Sequence, residues 1–360
     1  MKRKIIIIIS VITILILIIF LNIYFSFLHR YPGHFIEYNF SETDEFKIEE
    51  IVTIEKKKNQ DFVILNLADI QMCDLEDIFN RNKIHKEIKY LVDLVKPDLI
   101  TLTGDQTWSN ENLISLKALI RWLDELKIPY APIFGNHDFG NGDNNAVASK
   151  YKCCDLYGEG KYSLFNRGPS NLDSIGNYVI NIMEEETIYK TLVMMDAGVN
   201  DEITLMQEKW FKWNMEGIYN HCGYYPETFV FMHKPLPEYR LAYLNYDDLE
   251  NDDVYVYYSL SGLDDTGFFN VCKNYNVKNI ICGHQHGNCF SLPYQGINLI
   301  FALKTGELGG YVEIGNMYLN GATYFVLNDE TRVKNIFVPK EKFHINDKHN
   351  VYIKSETKRN

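Results

Sequence analysis

The tetrapeptide Gly135-Asn136-His137-Asp138, which follows the apolar run Tyr130 to Phe134, decides how the rest of the chain is interpreted. An apolar run of this length predicts a buried strand, and polar residues directly after it predict a loop at the strand end. The tetrapeptide alone is weak evidence, because short Gly-Asn-His runs also arise by chance. It gains weight because other apolar runs in the chain end in the same kinds of residue.

Four other apolar runs end in carboxylate, carboxamide or imidazole side chains. Phe62 to Leu67 is followed by Asp69-Ile70-Gln71, Asp98 to Thr103 by Gly104-Asp105, Thr228 to Met232 by His233, and Val277 to Cys282 by Gly283-His284-Gln285-His286. The oxygen and nitrogen atoms of these side chains are common ligands of divalent metals. A lone Asp at a strand end is usually a turn residue. The repetition of the pattern favours a metal site over that structural interpretation.

Composition and charge limit the classes of partner. The chain has 360 residues, of which 46% are hydrophobic and 23% charged, as in globular proteins. The net charge of −12 argues against a nucleic-acid backbone as the main partner, because such binding depends on clustered Lys and Arg. It does not argue against phosphorylated substrates, since bound metals can reverse the local field. We therefore expect no nucleic-acid partner.

The N-terminus predicts a membrane segment. Three basic residues at positions 2–4 precede Ile5 to Leu28, a run without a charge. As a helix this run would span roughly 36 Å, which is enough to cross a bilayer. A cleaved signal peptide is the alternative, but Ser26 to Arg30 lacks its small-residue cleavage site. We expect a single-pass signal anchor with a cytoplasmic N-terminus and an extracytoplasmic or lumenal catalytic domain.

The remaining chain predicts one globular α/β domain. Residues 1–30 are expected to form the cytoplasmic stub and anchor, 31–60 a linker, 61–340 the domain, and 341–360 a frayed tail. The predicted strands Phe62 to Leu67, Leu99 to Leu102 and Tyr130 to Phe134 alternate with helical patterns over Ile84 to Val95 and Leu113 to Leu126. Residues 139–173 form a Gly/Asn-rich insertion that we expect to be irregular.

The cysteines do not decide the redox state of the protein. There are seven, with no C-x-x-C pair, so a zinc ribbon is not favoured. An odd number leaves at least one thiol unpaired if the others form disulfides. Free thiols and disulfides both remain open from the sequence.

Taken together, the five polar blocks resemble the calcineurin-like metallophosphoesterase superfamily. Its pattern is D-x-H, G-D, G-N-H-[DE], a lone His and G-H-x-H, and all five blocks occur in that order between Asp69 and His286. One position departs, since Gln71 stands where most members have His. Flanking stretches such as Gly321-Ala322-Thr323 are similar to the single-domain purple-acid-phosphatase-like members. The resemblance implies a four-layer sandwich of two packed mixed β-sheets flanked by helices, here preceded by the transmembrane helix.

The resemblance also implies a dinuclear metal site, with two divalent ions that are Mn, Fe or Zn. Asp105 would bridge both metals, and His137 would lie near the leaving-group oxygen, oriented by Asp138. The remaining ligands divide into Asp69, Gln71 and His286 for the first metal and Asn136, His233 and His284 for the second. Because Gln106-Thr107-Trp108 follows Asp105 without a tyrosine, a purple iron centre is not implied.

The implied activity is metal-dependent hydrolysis of phosphate mono- or diesters by a hydroxide that bridges the two metals. The substrate would be a phosphorylated small molecule or a phosphoprotein. Gln71 leaves two alternatives open. ADP-ribose/CDP-alcohol diphosphatases also carry Gln at this place, so the bond could belong to a nucleotide-diphosphate-linked substrate. The domain could instead be a catalytically inactive, membrane-anchored binding module.

Overall fold

The computed structural model describes residues 2–30, 38–72, 78–108, 112–139, 146–197, 202–246, 254–257, 259–307, 311–314, 317–339 and 351–353. The helices are α1 (Lys2–Arg30), α2 (Ile78–Val95), α3 (Asn112–Leu126), α4 (Ala146–Glu159), α5 (Leu205–Cys222), α6 (Glu238–Leu244) and α7 (Phe268–Asn274). The strands are β1 (Val52–Lys56), β2 (Phe62–Leu67), β3 (Leu99–Thr103), β4 (Tyr130–Ile133), β5 (Tyr178–Glu184), β6 (Thr187–Met194), β7 (Glu227–Phe231), β8 (Tyr255–Val256), β9 (Val277–Cys282), β10 (Asn288–Tyr294), β11 (Ile297–Phe301), β12 (Tyr311–Ile314), β13 (Met317–Tyr318), β14 (Gly321–Leu327), β15 (Arg332–Phe337) and β16 (Val351–Ile353).

Two mixed β-sheets form the centre of the fold. One has five strands in the order β15-β14-β2-β3-β4, and the other has eight in the order β1-β5-β6-β7-β9-β11-β10-β8. In the first, β2, β3 and β4 are parallel and β14 runs antiparallel to β2. In the second, β6, β7, β9 and β11 are parallel. The predicted pair of mixed sheets is confirmed, and a small sheet of β13, β12 and β16 lies beside them.

The apolar side chains divide into the layers of a sandwich. Between the sheets, Ile64 and Ile133 of the five-stranded sheet share a buried cluster with Phe229 and Ile281 of the eight-stranded sheet. A second cluster covers the outer face of the five-stranded sheet with α2, α3 and α4, and a third covers the eight-stranded sheet with α5, α6 and α7. Each sheet is therefore apolar on both faces, because helices cover one face and the other sheet covers the opposite face.

Parallel strands carry the polar blocks to one edge of the sandwich. β2, β3 and β4 point the same way, so the loops after them start at one edge of their sheet. The loops after β7 and β9 start together at an edge of the other sheet for the same reason. Open α/β sheets place ligands at the carboxyl ends of their strands. This topology positions the site.

Three segments differ from the sequence prediction. The 139–173 insertion, expected to be irregular, contains α4, whose Cys153, Leu156 and Tyr157 are buried at helical spacing. β1 lies inside the predicted linker and pairs with β5, and β16 lies inside the predicted tail. The domain limits themselves stay predictions. No disulfide joins the six described cysteines, which are Cys153, Cys154, Cys222, Cys272, Cys282 and Cys289. Cys73 lies outside the described residues.

The structure also bears on the transmembrane helix predicted at the N-terminus. α1 covers the apolar run, yet among the described residues no helix combines the length and the apolarity needed to cross a membrane. The structure thus does not support the predicted transmembrane anchor.

Candidate metal centre

Each of the five polar blocks starts where a strand of the sandwich ends. Asp69 and Gln71 follow β2, Asp105 follows β3, and Asn136 follows β4. In the other sheet, His233 follows β7, and His284 and His286 follow β9. The pairing of β2 with β3 continues past the strand ends, since the Gln71 N–H donates to the Asp105 carbonyl at 2.9 Å. This continuation fixes the spacing between the first two blocks.

Left-handed backbone turns direct several of these side chains. Asp69, Gln71, Asp105 and His284 have φ values of 53°, 50°, 52° and 76°. Non-glycine residues rarely adopt this conformation, which costs of order 1–3 kcal/mol each and is concentrated at functional sites. Four such residues within one cluster therefore point to a site built for ligands.

Glycines in the motifs make room for the polar side chains. A Cβ on Gly135 would lie 2.2 Å from Asp105 Oδ1, and one on Gly283 would lie 2.5 Å from Asp69 Oδ2. A Cβ on Gly104 would lie 2.4 Å from the Nδ1 atom of His233. Each of the three glycines thus allows a close approach between a turn and a predicted ligand, which explains why these three of the five blocks begin with glycine.

The first group of potential ligand atoms comprises Asp69, Asp105 and His286, whose ligand atoms all lie within 4.8 Å of one another. His286 Nε2 is 3.6 Å from Asp69 Oδ1. Gln71 belongs to the same place, because its Nε2 lies 3.0 Å from His286 Nε2 and 3.3 Å from Asp105 Oδ2. Rotating the amide by half a turn would direct its oxygen there, and oxygen is the atom that would ligate.

The second group comprises Asp105, His233 and His284, again with ligand atoms within 4.8 Å of one another. His233 Nε2 lies 3.2 Å from Asp105 Oδ2 and 3.3 Å from His284 Nδ1. Asn136, which is exposed, places its Oδ1 3.1 Å from His233 Nε2. The structure therefore brings all seven predicted ligands together in two groups that share Asp105.

The hydrogen bond of His233 leaves its Nε2 free to bind a metal. Its Nδ1 lies 2.8 Å from the backbone oxygen of Thr103. A carbonyl only accepts hydrogen bonds, so Nδ1 carries a proton and donates it. A metal-ligating imidazole commonly has such a partner on its other nitrogen. Because Thr103 acts through its backbone, no side-chain signal in the sequence could have identified it.

Burial and neighbouring charges shift the pKa values of three predicted ligands. Burial raises the pKa of Asp69 to about 7. Burial would lower the pKa of His233, but the adjacent charge of Asp105 raises it to about 9. Burial, together with the charge of His233, lowers the pKa of His284 to about 3. The carboxylates thus retain a proton at His233 Nε2, which a divalent cation at the same place would displace.

Asp105 and His286 have the charge states that a metal needs. Burial tends to raise the pKa of Asp105, but the charge of His233 beside it brings the pKa below its usual value. Burial, reinforced by the charge of Lys304, lowers the pKa of His286 well below its usual value. A charged carboxylate and a neutral imidazole are the forms that bind metals. The donor set therefore fits two divalent cations.

His137 and Asp138 occupy different environments. His137 is partly exposed, its backbone N–H donates to Asp105 Oδ1 at 2.8 Å, and its ring centroid lies 5.4 Å from that of Trp108. The buried Asp138 carboxylate accepts from the backbone N–H groups of Thr107 at 2.9 Å and Gly135 at 2.8 Å. Asp138 therefore holds the loop that carries His137, and these bonds do not involve the imidazole.

Sequence comparison identifies the family. A family model described as "Calcineurin-like phosphoesterase" matches residues 62–288. The chain belongs to this family. The predicted superfamily is confirmed, and with it the family's class of phosphoester hydrolases that use two divalent metal ions. The individual role of each site residue stays a prediction.

Several known proteins are similar to this calcineurin-like chain. "Phosphatase DCR2" of Saccharomyces cerevisiae is 23% identical over 283 residues, which cover 70% of this chain but only 46% of that relative. Similar solved structures include a dimetal phosphatase from Danio rerio (13% identity, TM-score 0.49, 77% of this chain and 97% of that one). Another is purple acid phosphatase PPD1 from yellow lupin (11% identity, TM-score 0.47, 77% and 52%).

Proposed function

We propose that this protein hydrolyses phosphate mono- or diesters with two divalent metal ions at the common edge of its sheets. One observation carries the proposal: the two groups of potential ligand atoms share the buried carboxylate of Asp105. A shared carboxylate is the arrangement that holds two cations close together. When bound, the metals would act as Lewis acids toward the phosphate and make water a nucleophile near neutral pH.

The protein side chains would have separate tasks in this reaction. Asp69, Gln71 and His286 would hold the first metal, Asn136, His233 and His284 the second, and Asp105 both. The exposed Asn136 and the partly exposed His137 mark the open side from which a phosphate could enter. Because His137 lies on this side, its ring can donate a proton to a departing oxygen. Asp138 would keep that ring in place through the loop.

The test is hydrolysis of p-nitrophenyl phosphate and bis-p-nitrophenyl phosphate by the full-length protein with Mn²⁺. We expect turnover in the wild type and a loss of at least ~10²-fold in Asp105→Asn and Asn136→Ala, as is common when charge stabilisation is removed. Asp93→Asn on the exposed face of α2 is the matched control and should keep full activity. A folded, metal-loaded wild type that is inactive on a broad panel of phosphate esters and anhydrides would refute the proposal.

Gln71 favours one alternative substrate class. An amide in place of an imidazole makes the first metal site harder and more oxygen-rich, which suits Mn²⁺. If the physiological bond is a phosphoanhydride attached to a nucleotide, ADP-ribose should be turned over faster than a simple monoester. A Gln71→His variant that lowers this ratio would tie the preference to the side chain. Equal ratios in both proteins would exclude Gln71 as its cause.

An inactive binding module is the other alternative, and metal content separates it from an enzyme. Close to two equivalents of metal per chain together with turnover support the enzyme. One equivalent or fewer, with no turnover in a folded protein, supports the module. A phosphoprotein and a phosphorylated small molecule should be tested side by side, since both are compatible substrates.

For the location of the protein, we propose membrane attachment through the N-terminal apolar run. The support is the sequence argument: Ile5 to Leu28 has no charge and is preceded by three basic residues. Full-length protein should then sediment with membranes and resist alkaline carbonate extraction, whereas a chain starting at residue 31 should not. Release of the full-length chain by carbonate would contradict the proposal.

A further inference from the structure

Lys304 is a buried cation directly behind the metal centre. It follows β11 just as the predicted ligands follow their strands, and its side chain is 1% exposed. Its Nζ donates a hydrogen bond to the backbone oxygen of Asp69. A charged Lys does not ligate metals, so its residue type does not mark it as part of the metal centre. Its position after a strand is nevertheless the same as that of the predicted ligands.

The segment around Lys304 is attached firmly to the end of β2. The Thr305 N–H donates to the Ala68 carbonyl at 2.8 Å, and the Thr305 hydroxyl lies 3.3 Å from the Ala68 N–H, which donates to it. The Gly321 N–H donates to the Lys304 carbonyl at 2.7 Å. The backbone of Lys304 is thus fixed on both sides, so the ammonium is held against the Asp69 turn.

A buried acid, Glu87, lies near this ammonium, and Glu307 lies near Glu87. Glu87 of α2 is 1% exposed and accepts a hydrogen bond from the Gly306 N–H at 3.0 Å, and Glu307 is 2% exposed. The charge of Lys304 acts on the carboxyl of Glu87 and opposes the rise that burial imposes on its pKa. Burying a charge is unfavourable unless opposite charges or hydrogen bonds surround it, and here the Asp69 carbonyl accepts a hydrogen bond from the ammonium.

Asp69 is held from two directions. On one side its carboxylate accepts from the His284 N–H, at 2.9 Å to Oδ1 and 3.0 Å to Oδ2. On the other side its carbonyl accepts from Lys304. Asp69 has a left-handed φ of 53°, an unfavourable backbone conformation that the hydrogen bond to its carbonyl helps to hold. The second group has a different support, since Thr103 orients His233.

We propose that Lys304 is a positioning residue for the first metal ion, holding the left-handed Asp69 turn through its carbonyl so that the carboxylate faces Gln71 and His286. This inference rests on the two-metal centre of the proposed function. Asp69 belongs only to the first group. Loss of Lys304 should therefore weaken binding of the first metal ion and leave binding of the second unchanged.

The experiment measures Mn²⁺ binding by calorimetry in full-length protein. Asn136→Ala isolates the first site and Asp69→Asn isolates the second. Into each background we introduce Lys304→Met with Glu87→Gln, which removes the cation and a nearby acid together. We expect at least a ~10-fold loss of Mn²⁺ affinity in the Asn136→Ala background, as for other residues that orient metal ligands. In the Asp69→Asn background the affinity should stay within about twofold, since Lys304 does not support that site.

The matched control removes a distant ion pair between the buried Lys190 and the partly buried Glu227, as Lys190→Met with Glu227→Gln. It should lower the melting temperature without changing either Mn²⁺ affinity. If the Lys304→Met double variant does not fold, Lys304→Gln with Glu87→Gln is the replacement. Its amide is a donor on a shorter side chain that does not reach the Asp69 carbonyl as Lys304 does, so it is expected to weaken only the first site. Equal weakening of both sites, or of neither, overturns the inference. A wild type that binds fewer than two Mn²⁺ ions instead counts against the proposed function.

Discussion

Single backbone atoms decide which nitrogen or oxygen faces the metals. The Thr103 carbonyl fixes the proton of His233 on Nδ1, and the Gln71 N–H is tied to the Asp105 carbonyl. The Asp138 carboxylate accepts hydrogen bonds from the backbone N–H groups of Thr107 and Gly135. At the residue scale, the centre thus depends on partners that fix orientation as much as on its ligands.

His137 provides the first prediction at this scale. If its ring protonates the departing oxygen, His137→Gln should lower kcat for the hydrolysis of alkyl phosphates by ~10²–10⁴-fold, because their leaving groups need the proton. p-Nitrophenyl phosphate, whose leaving group is a stable anion, should be slowed much less. The ratio of kcat for the two substrates in both proteins is the measurement. Equal losses on both substrates would show that His137 does not act as the acid.

At the scale of elements, five strands each deliver one polar block, and tight turns bring these blocks together. Gly135 illustrates the requirement, since a Cβ there would lie 2.2 Å from Asp105 Oδ1 and 2.4 Å from the Asp105 nitrogen. The second of these atoms belongs to the backbone and cannot rotate away. The turn after β4 therefore packs directly against the turn after β3, and space for Asp105 depends on glycine.

We expect Gly135→Ala to displace Asp105 and to lower kcat by ~10²-fold or more, since small misplacements of reacting groups have effects of this size. Mn²⁺ content should fall together with kcat. Gly296→Ala is the control, because its Cβ would meet nothing within 4 Å although its φ is +89°. The control should lose about 1 kcal/mol of stability to backbone strain while keeping its metals. Normal metal content in Gly135→Ala would disprove the steric argument.

The strand ends explain how much of this site the sequence predicted. An apolar run followed by Asp, Asn or His is a local pattern, so β2, β3, β4, β7 and β9 and the residues after them were identified. α4 was missed because Gly and Asn at positions 140–145 dominate the start of the insertion. β1 was missed because its pairing with β5 is a distant contact. Lys304 was missed because its role depends on the carbonyl of Asp69, which leaves no trace in residue type.

At the scale of the whole molecule, the buried Glu87 links stability to pH. Burial raises its pKa from 4.5 to about 8 in the folded protein. Between these values the folded protein keeps a proton that the unfolded chain has lost. The free energy of unfolding therefore falls as pH rises across this range, by up to about 1.4 kcal/mol per pH unit from this group.

Glu87→Gln should remove this contribution. Urea unfolding of metal-free protein at pH 6 and pH 8 should show a smaller difference in the variant than in the wild type. Glu55→Gln, on an exposed position of β1, is the control and should keep the wild-type difference. An unchanged pH dependence in Glu87→Gln would mean that another buried group governs this range.

Bound metals would also link the two halves of the sandwich. Asp69, Asp105 and Asn136 come from the five-stranded sheet, whereas His233 and His284 come from the eight-stranded sheet. Besides the apolar cluster between the sheets, the centre would therefore be a second place where the two sheets are held together, by ions bound to both. Metal binding to the folded protein stabilises it by about 2.7 kcal/mol per ion at a free concentration of one hundred times Kd.

Removing the metals with EDTA should accordingly lower the melting temperature by several degrees, and adding Mn²⁺ should restore it. Hydrogen exchange should become faster in the loops after β3, β4 and β9 than in α5, because these loops hold the ligands from both sheets. Asp105→Asn is the control, since it lacks the shared carboxylate and should respond little to EDTA. If wild-type protein melts at the same temperature with and without Mn²⁺, the ions do not hold the sheets together, and packing between the sheets alone supplies that stability.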